Sequence, residues 1–141
     1  MTNAFAKPDA GIALLRVSLG VMTLAHGLLK LFVFTVPGTV AFFASLGLPA
    51  IAAYAVITLE IGGGLLLIAG LGTRFAAAAL VPVLIGAAMA HAGNGWLFSN
   101  PNGGWEFPAF YAVALIAQTM LGSGAYALDN RVGGLPQPAA A

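Results

Sequence analysis

Four apolar stretches dominate the chain, near Gly11–Phe32, Ala50–Leu71, Phe75–Ala92 and Phe107–Leu121. A helix crossing a bilayer needs about 17–25 residues, and the fourth stretch is the shortest of the set. Lipid provides no partners for backbone N–H and C=O groups, so a spanning segment must satisfy them internally. No stretch alternates polar and apolar residues as a membrane barrel strand does, so the helical reading is the one left. Charge agrees: only 6% of the 141 residues are Asp, Glu, Lys or Arg, against about 25% in ordinary soluble domains. The expected fold is an all-α membrane protein, a four-transmembrane-helix bundle over residues 11–129. The expected flanks are a polar lead-in at 1–10 and a disordered Gly/Pro/Ala-rich tail at 130–141.

The segment between the first two spans, "FTVPGTVAFFASLGLP", carries Val40, Phe43 and Leu46 at helical spacing between Pro37 and Pro49. A short interfacial helix is expected there. The third and fourth spans are joined by a turn-rich loop containing Trp96 and Trp105, a residue type that favours the headgroup level. With four spans, Lys7, Arg74 and Arg131 fall on one side, with Arg16 near them, and Lys30 alone on the other. The positive-inside rule then places both termini in the cytoplasm.

Function has to be sought among the few ionisable groups inside the spans. At about 1.5 Å per residue, Arg16 lies roughly 8 Å into the first span and His26 roughly 22 Å. Lys30 reaches the far boundary, Glu60 falls near the midplane, and His91 ends at nearly the depth of His26. Arg16, Thr23, His26 and Lys30 share one sector of about 80° of the first helix, which must face the bundle. Glu60 sits two residues before Gly62–Gly64 in "VITLEIGGGLLLIAGL". Small residues let helices approach closely, and a carboxylate aimed into such a contact needs a partner. By depth, His26 is the nearest candidate and Arg16 the next. Each group also has a plainer role available: ion-pair register for Glu60, snorkelling for Arg16 and Lys30, helix-to-helix hydrogen bonding for His26 and His91.

Several chemistries are excluded or narrowed. There is no cysteine, which removes disulfides, thiol catalysis and Cys-ligated clusters. Nothing resembles the basic patch that nucleic acid requires. A redox role needs a bound organic cofactor or a histidine-ligated metal. A quinone fits an apolar slot with hydrogen-bonding groups for its oxygens and a proton source. In that reading Glu60 and His26 act catalytically, while Arg16, Lys30, His91, Trp105 and Glu106 line or support the cofactor. A bis-His haem b between His26 and His91 is a lesser possibility. No separate metal site is expected.

Five pieces occur in order: "LLRVSLGVMTLAHGLLKLF" (Leu14–Phe32), "SLGLP" (Ser45–Pro49), "LEIGGGLLLIAGLGTR" (Leu59–Arg74), "NGGWE" (Asn102–Glu106) and "GSGAYALD" (Gly122–Asp129). Together the chain from Ile12 to Asp129 resembles the DoxX-type proteins, small four-span bacterial membrane proteins. The resemblance implies a subunit of a redox system. Its relatives include the small subunit of a thiosulfate:quinone oxidoreductase, and a partner oxidoreductase or a homo-oligomer is therefore expected. The alternative is a non-catalytic membrane anchor or assembly partner for a soluble redox enzyme, with a small-molecule carrier as a lesser one. Ser123 departs from the pattern, which often has Pro there.

Overall fold

The computed structural model describes residues 7–132; the expected disordered tail falls mostly outside this range, as does most of the polar lead-in. Five α-helices follow in chain order: α1 (Pro8–Leu28), α2 (Val36–Ser45), α3 (Ala50–Ala69), α4 (Thr73–Ala90) and α5 (Glu106–Leu121). No strand occurs among the described residues. α1 begins before the expected Gly11, because Pro8 suits the first helical position, where no N–H partner is needed. It continues into a five-residue π-helical turn, Leu29–Val33, and together the two run for 26 residues. Three helical segments are long and apolar enough to cross a membrane: Pro8–Val33, Ala50–Ala69 and Thr73–Ala90. α5 is apolar but has only 16 residues.

α2 forms where the Pro-bracketed segment predicted a short helix. Thr35 caps it, its hydroxyl accepting from the Gly38 N–H at 3.3 Å, and Pro37 sits in the first turn. α3 ends at Gly70, in the left-handed conformation with φ +68°. That residue type carries no Cβ penalty there.

The helices close into a ring in which α1 packs on α3, α3 on α4, α4 on α5, and α5 back on α1. The α1–α3 seam is the tightest. A Cβ added to Gly64 would lie 2.7 Å from the Leu24 backbone nitrogen, and one on Gly20 would lie 2.8 Å from that of Ile68. The three consecutive glycines of α3 therefore divide their roles. Gly64 meets the α1 backbone, Gly63 meets Leu80 of α4, and Gly62 meets nothing within 4 Å. Leu19, Leu67, Ala76, Ala77, Leu80, Leu84, Ala112 and Leu115 fill the core. Leu14, Phe75, Met89, Phe110 and Met120 point outward, each at least 70% exposed. An apolar rim on every side is what lipid covers and water does not.

Candidate functional site

The ionisable side chains separate into two groups by height. Where Lys7 and Asp129 lie, here called the proximal end, Arg16 is 1% exposed. Its Nε donates to the Ser123 carbonyl at 2.8 Å, Nη1 to the Leu67 and Ile68 carbonyls at 2.7 and 2.9 Å, and Nη2 to that of Ala125 at 3.2 Å. Leu67 and Ile68 lie in the last turn of α3, whose carbonyls lack helical partners. Arg74 does the same for α5, donating to the Thr119 and Met120 carbonyls. Asp129 caps the start of α4, accepting from the N–H groups of Gly72 (2.8 Å) and Thr73 (3.4 Å) and from the Ser123 hydroxyl (2.6 Å). Partial burial pushes the Asp129 carboxyl up, but the Ser123, Gly72 and Thr73 bonds and the nearby Arg16 charge outweigh it and hold it below its ordinary value. Ser123 is thus a working member of this knot.

The distal half holds the other group. Glu60 is 5% exposed. Lys30 Nζ donates to both of its carboxylate oxygens at 2.8 Å. Glu60 therefore does not pair with His26 or with Arg16, the partners ranked first by depth. Helical side chains lean toward the N-terminus of their own helix. Lys30, at the end of α1, leans back toward the midplane, and Glu60, on the antiparallel α3, leans toward the distal end. Arg16 leans the opposite way, to the end of α3. The Lys30 carbonyl also accepts from the Thr39 hydroxyl of α2 at 3.1 Å, tying the π turn to the short helix.

His26 Nδ1 lies 2.8 Å from the Met22 carbonyl. A carbonyl only accepts, so Nδ1 carries the proton and Nε2 of the neutral ring is an acceptor. The ring stacks on Phe107 at 6.1 Å, and Phe107 stacks on Tyr111 at 5.8 Å. The Tyr111 hydroxyl donates to the Leu19 carbonyl and bonds the Thr23 hydroxyl, both at 2.5 Å. Tyr111 was not singled out from sequence; a lone phenol in an apolar helix, five residues after Glu106, was the available signal.

His91 follows the same rule as His26. Its Nδ1 is 3.0 Å from the Asn102 carbonyl and 3.1 Å from that of Gly103, leaving Nε2 without a hydrogen bond among the described residues. Glu106 opens α5, and its Oε1 accepts from the Phe98 N–H at 2.9 Å. Trp105 packs edge-on against Trp96 at 4.6 Å. Between these groups lies a cleft of about 710 Å³ walled by Trp96, Phe98, Phe107 and Phe110, with His91 and Glu106 on its lining. The structure therefore brings His91, Trp105 and Glu106 to one place and sets His26 one ring behind it. Lys30 and Glu60 are closed on each other, and Arg16 stands at the opposite end. No group of three or more His, Cys, Asp or Glu side chains suited to a metal ion occurs among the described residues.

Residues 11–93 match the DoxX family. The chain belongs to the DoxX family. A relative from Bacillus subtilis (strain 168), named "Putative oxidoreductase CatD", is 40% identical over 79 residues. Those residues are 56% of this chain and 58% of the relative, so the match spans little more than half of either protein. No solved structure matches the chain significantly. The family match ends close to His91, so the loop and α5, which build most of the cleft, lie beyond it.

Proposed function

We propose that this DoxX-family protein is a four-span subunit of a redox system in the bacterial inner membrane, with both termini cytoplasmic, and that its distal cleft binds a quinone. The observation that carries this reading is the cleft itself: aromatic walls edged by one imidazole and one carboxylate. Its volume lies within the range of about 300–1,000 Å³ usual for small-molecule sites, and its chemistry suits a flat apolar ring with oxygens at its edge. A bound quinone would accept electrons supplied by a partner oxidoreductase.

The chain's own residues would then do three things. Trp96, Phe98, Phe107 and Phe110 exclude water and hold the ring, with Trp105 bracing Trp96. His91, charged, donates from Nε2 to a ring oxygen; neutral, it accepts the proton of a ring hydroxyl at the same atom. Glu106 offers Oε2 as a second acceptor. His26 and Glu60 are the next groups inward and serve as proton carriers, with Lys30 holding its positive charge against Glu60. Arg16 takes no part in binding in this reading, since it lies at the opposite end of the bundle and bonds four backbone carbonyls there.

A second reading has its own support. Both Glu60 oxygens share the Lys30 ammonium, so the pair can serve only to fix α1 against α3. The protein is then a non-catalytic anchor for a redox enzyme. One experiment separates the two: purify the chain in mild detergent, extract it for quinone, and titrate a short-chain quinone while following tryptophan fluorescence. Near-stoichiometric quinone that is lost in His91→Ala, at unchanged protein yield, supports the first reading. An empty extract with no titratable binding sinks it and leaves the anchor. The absorption spectrum of the same sample tests haem, since a Soret band lost in either His→Ala variant would replace both readings.

A further inference from the structure

We infer that the distal cleft selects the reduced, hydroxyl-bearing form of its ring ligand over the oxidised form, and that His91 and Glu106 set this preference by presenting hydrogen-bond acceptors. The inference rests on the quinone reading above and narrows it. An oxidised quinone carries carbonyl oxygens at its ring edge, and these only accept. Its reduced form carries hydroxyls, which accept and also donate. A donor on the protein therefore serves both forms, whereas an acceptor serves the reduced form alone. The acceptors of the cleft decide which form it holds better.

His91 closes α4, and its Nδ1 meets the carbonyls of Asn102 at 3.0 Å and Gly103 at 3.1 Å. The two carbonyls converge because Asn102 and Gly103 are both left-handed, at φ +65° and +76°. Asn and Gly are the residue types that adopt this conformation most readily. The Asn94 amide donates to the same two oxygens, at 3.2 and 2.8 Å, and so holds them in place. A proton on Nε2 instead would let Asn94 donate to Nδ1 at 3.3 Å, but it would turn the Nδ1 lone pair on two carbonyl oxygens. The neutral ring therefore keeps its proton on Nδ1, and Nε2 is an acceptor.

Glu106 reaches the same condition by another route. Its Oε1 is taken by the Phe98 N–H at 2.9 Å, and Oε2 makes no hydrogen bond among the described residues. An ionised carboxylate has no proton to give. The other side chains on the lining are those of Trp96, Phe98, Phe107, Pro108 and Phe110. Of these only Trp96 carries a polar atom, an indole N–H, and a donor does not discriminate. Both side-chain acceptors of the cleft thus repel a carbonyl oxygen and satisfy a hydroxyl. A site that holds the reduced form more tightly also makes the bound quinone a stronger electron acceptor than the free one, because differential affinity shifts the equilibrium between the two forms.

The test titrates the protein in nanodiscs with a short-chain quinone and, separately, with its hydroquinone kept reduced under anaerobic conditions, following tryptophan fluorescence in mildly alkaline buffer. The hydroquinone is expected to bind about tenfold tighter, the worth of about one net hydrogen bond. In Glu106→Gln the amide oxygen still accepts from Phe98, while the NH2 group puts a donor where Oε2 was. The preference there should fall to about parity. Equal binding of the two forms by the native protein, or tighter binding of the quinone, overturns the inference and leaves the quinone reading standing. A tenfold preference that survives in Glu106→Gln overturns it as well, since the carboxylate is then not its source. Binding of neither form sinks the quinone reading and the inference with it. If Glu106→Gln fails to fold, nitrogen-15 spectra of the native protein decide without a ligand. Both of its two histidines are expected to carry the neutral-ring proton on Nδ1, and a proton on Nε2 of His91 overturns the inference.

Discussion

The two ends of this bundle use the same scarce charges in opposite ways. At the proximal end, the charged groups that enter the packing are committed to helix termini: Arg16 to α3, Arg74 to α5, Asp129 to α4. At the distal end, His26, His91 and Glu106 each commit one atom to the backbone and keep another with no hydrogen bond among the described residues. Only Lys30 and Glu60 close completely there, and they close on each other. A polar group in lipid is costly unless it is satisfied, so a fully satisfied cluster holds a fold together. A half-satisfied one can bind something else.

This contrast is open to attack in several places. The largest effect is expected for Arg16→Ala, which strands four carbonyl acceptors at the proximal end; hydrogen bonds to charged groups are worth about 1.5–3 kcal/mol each, so a loss of about 3 kcal/mol or more is expected. The unfolding midpoint in detergent mixtures measures it, and the fraction that still folds should bind quinone normally. A proximal variant that folds well but loses binding would break the contrast.

Next is the seam both ends share. Gly64→Ala presses a methyl into the α1 backbone and should cost about 1–3 kcal/mol. Gly62→Ala, with open space around it, should gain about 0.5–1 kcal/mol. Equal effects at the two positions would disprove the close approach.

At the distal end, Glu60→Gln keeps one hydrogen-bond acceptor for Lys30 but removes the counter-ion of a side chain only 20% exposed, and should cost about 1–3 kcal/mol. If the proposed redox reading holds, proton-coupled quinone reduction should fall much further than stability does. A stability loss with unchanged turnover would move the pair to the purely structural side.

The smallest effect is a pH dependence. Asp129 has a depressed folded-state value, so its stabilisation is complete above the ordinary carboxylate value near pH ~3.9 and is lost as pH falls through the lower folded value. Asp129→Asn should be slightly less stable at neutral pH and should lack this part of the acid sensitivity. Thermal unfolding of both proteins between neutral and acid pH compares them.

Much of the architecture was legible in the chain. Periodicity and apolar length placed the helices within a few residues, because lipid leaves a backbone few alternatives. That Gly62–Gly64 marks a close helix contact followed from residue size, though only Gly63 and Gly64 make one. The fate of α5 was less legible: its 16 residues fall below a full crossing, and the loop beside it carries part of the apolar surface. The site was legible only in pieces. Glu60 and Lys30 were both singled out, but depth counting treated side chains as points on an axis. It therefore paired Glu60 with His26 or Arg16. Tyr111 and Ser123 were overlooked as partners because a single hydroxyl in an apolar helix or a terminal turn has no spacing to reveal it.

The sequence alone determined that this chain must be helical and lipid-covered, and that a few buried charges need partners. These follow from composition and the cost of unsatisfied groups, which do not depend on where helices end up. Which charge meets which group was decided only by the tertiary structure. Antiparallel packing turns the lean of Lys30 and Glu60 toward each other and sends Arg16 to the far end of α3. The distal cleft is tertiary as well: His91, Phe98, Glu106 and Phe110 share it because a hydrogen-bonded loop folds over the short α5.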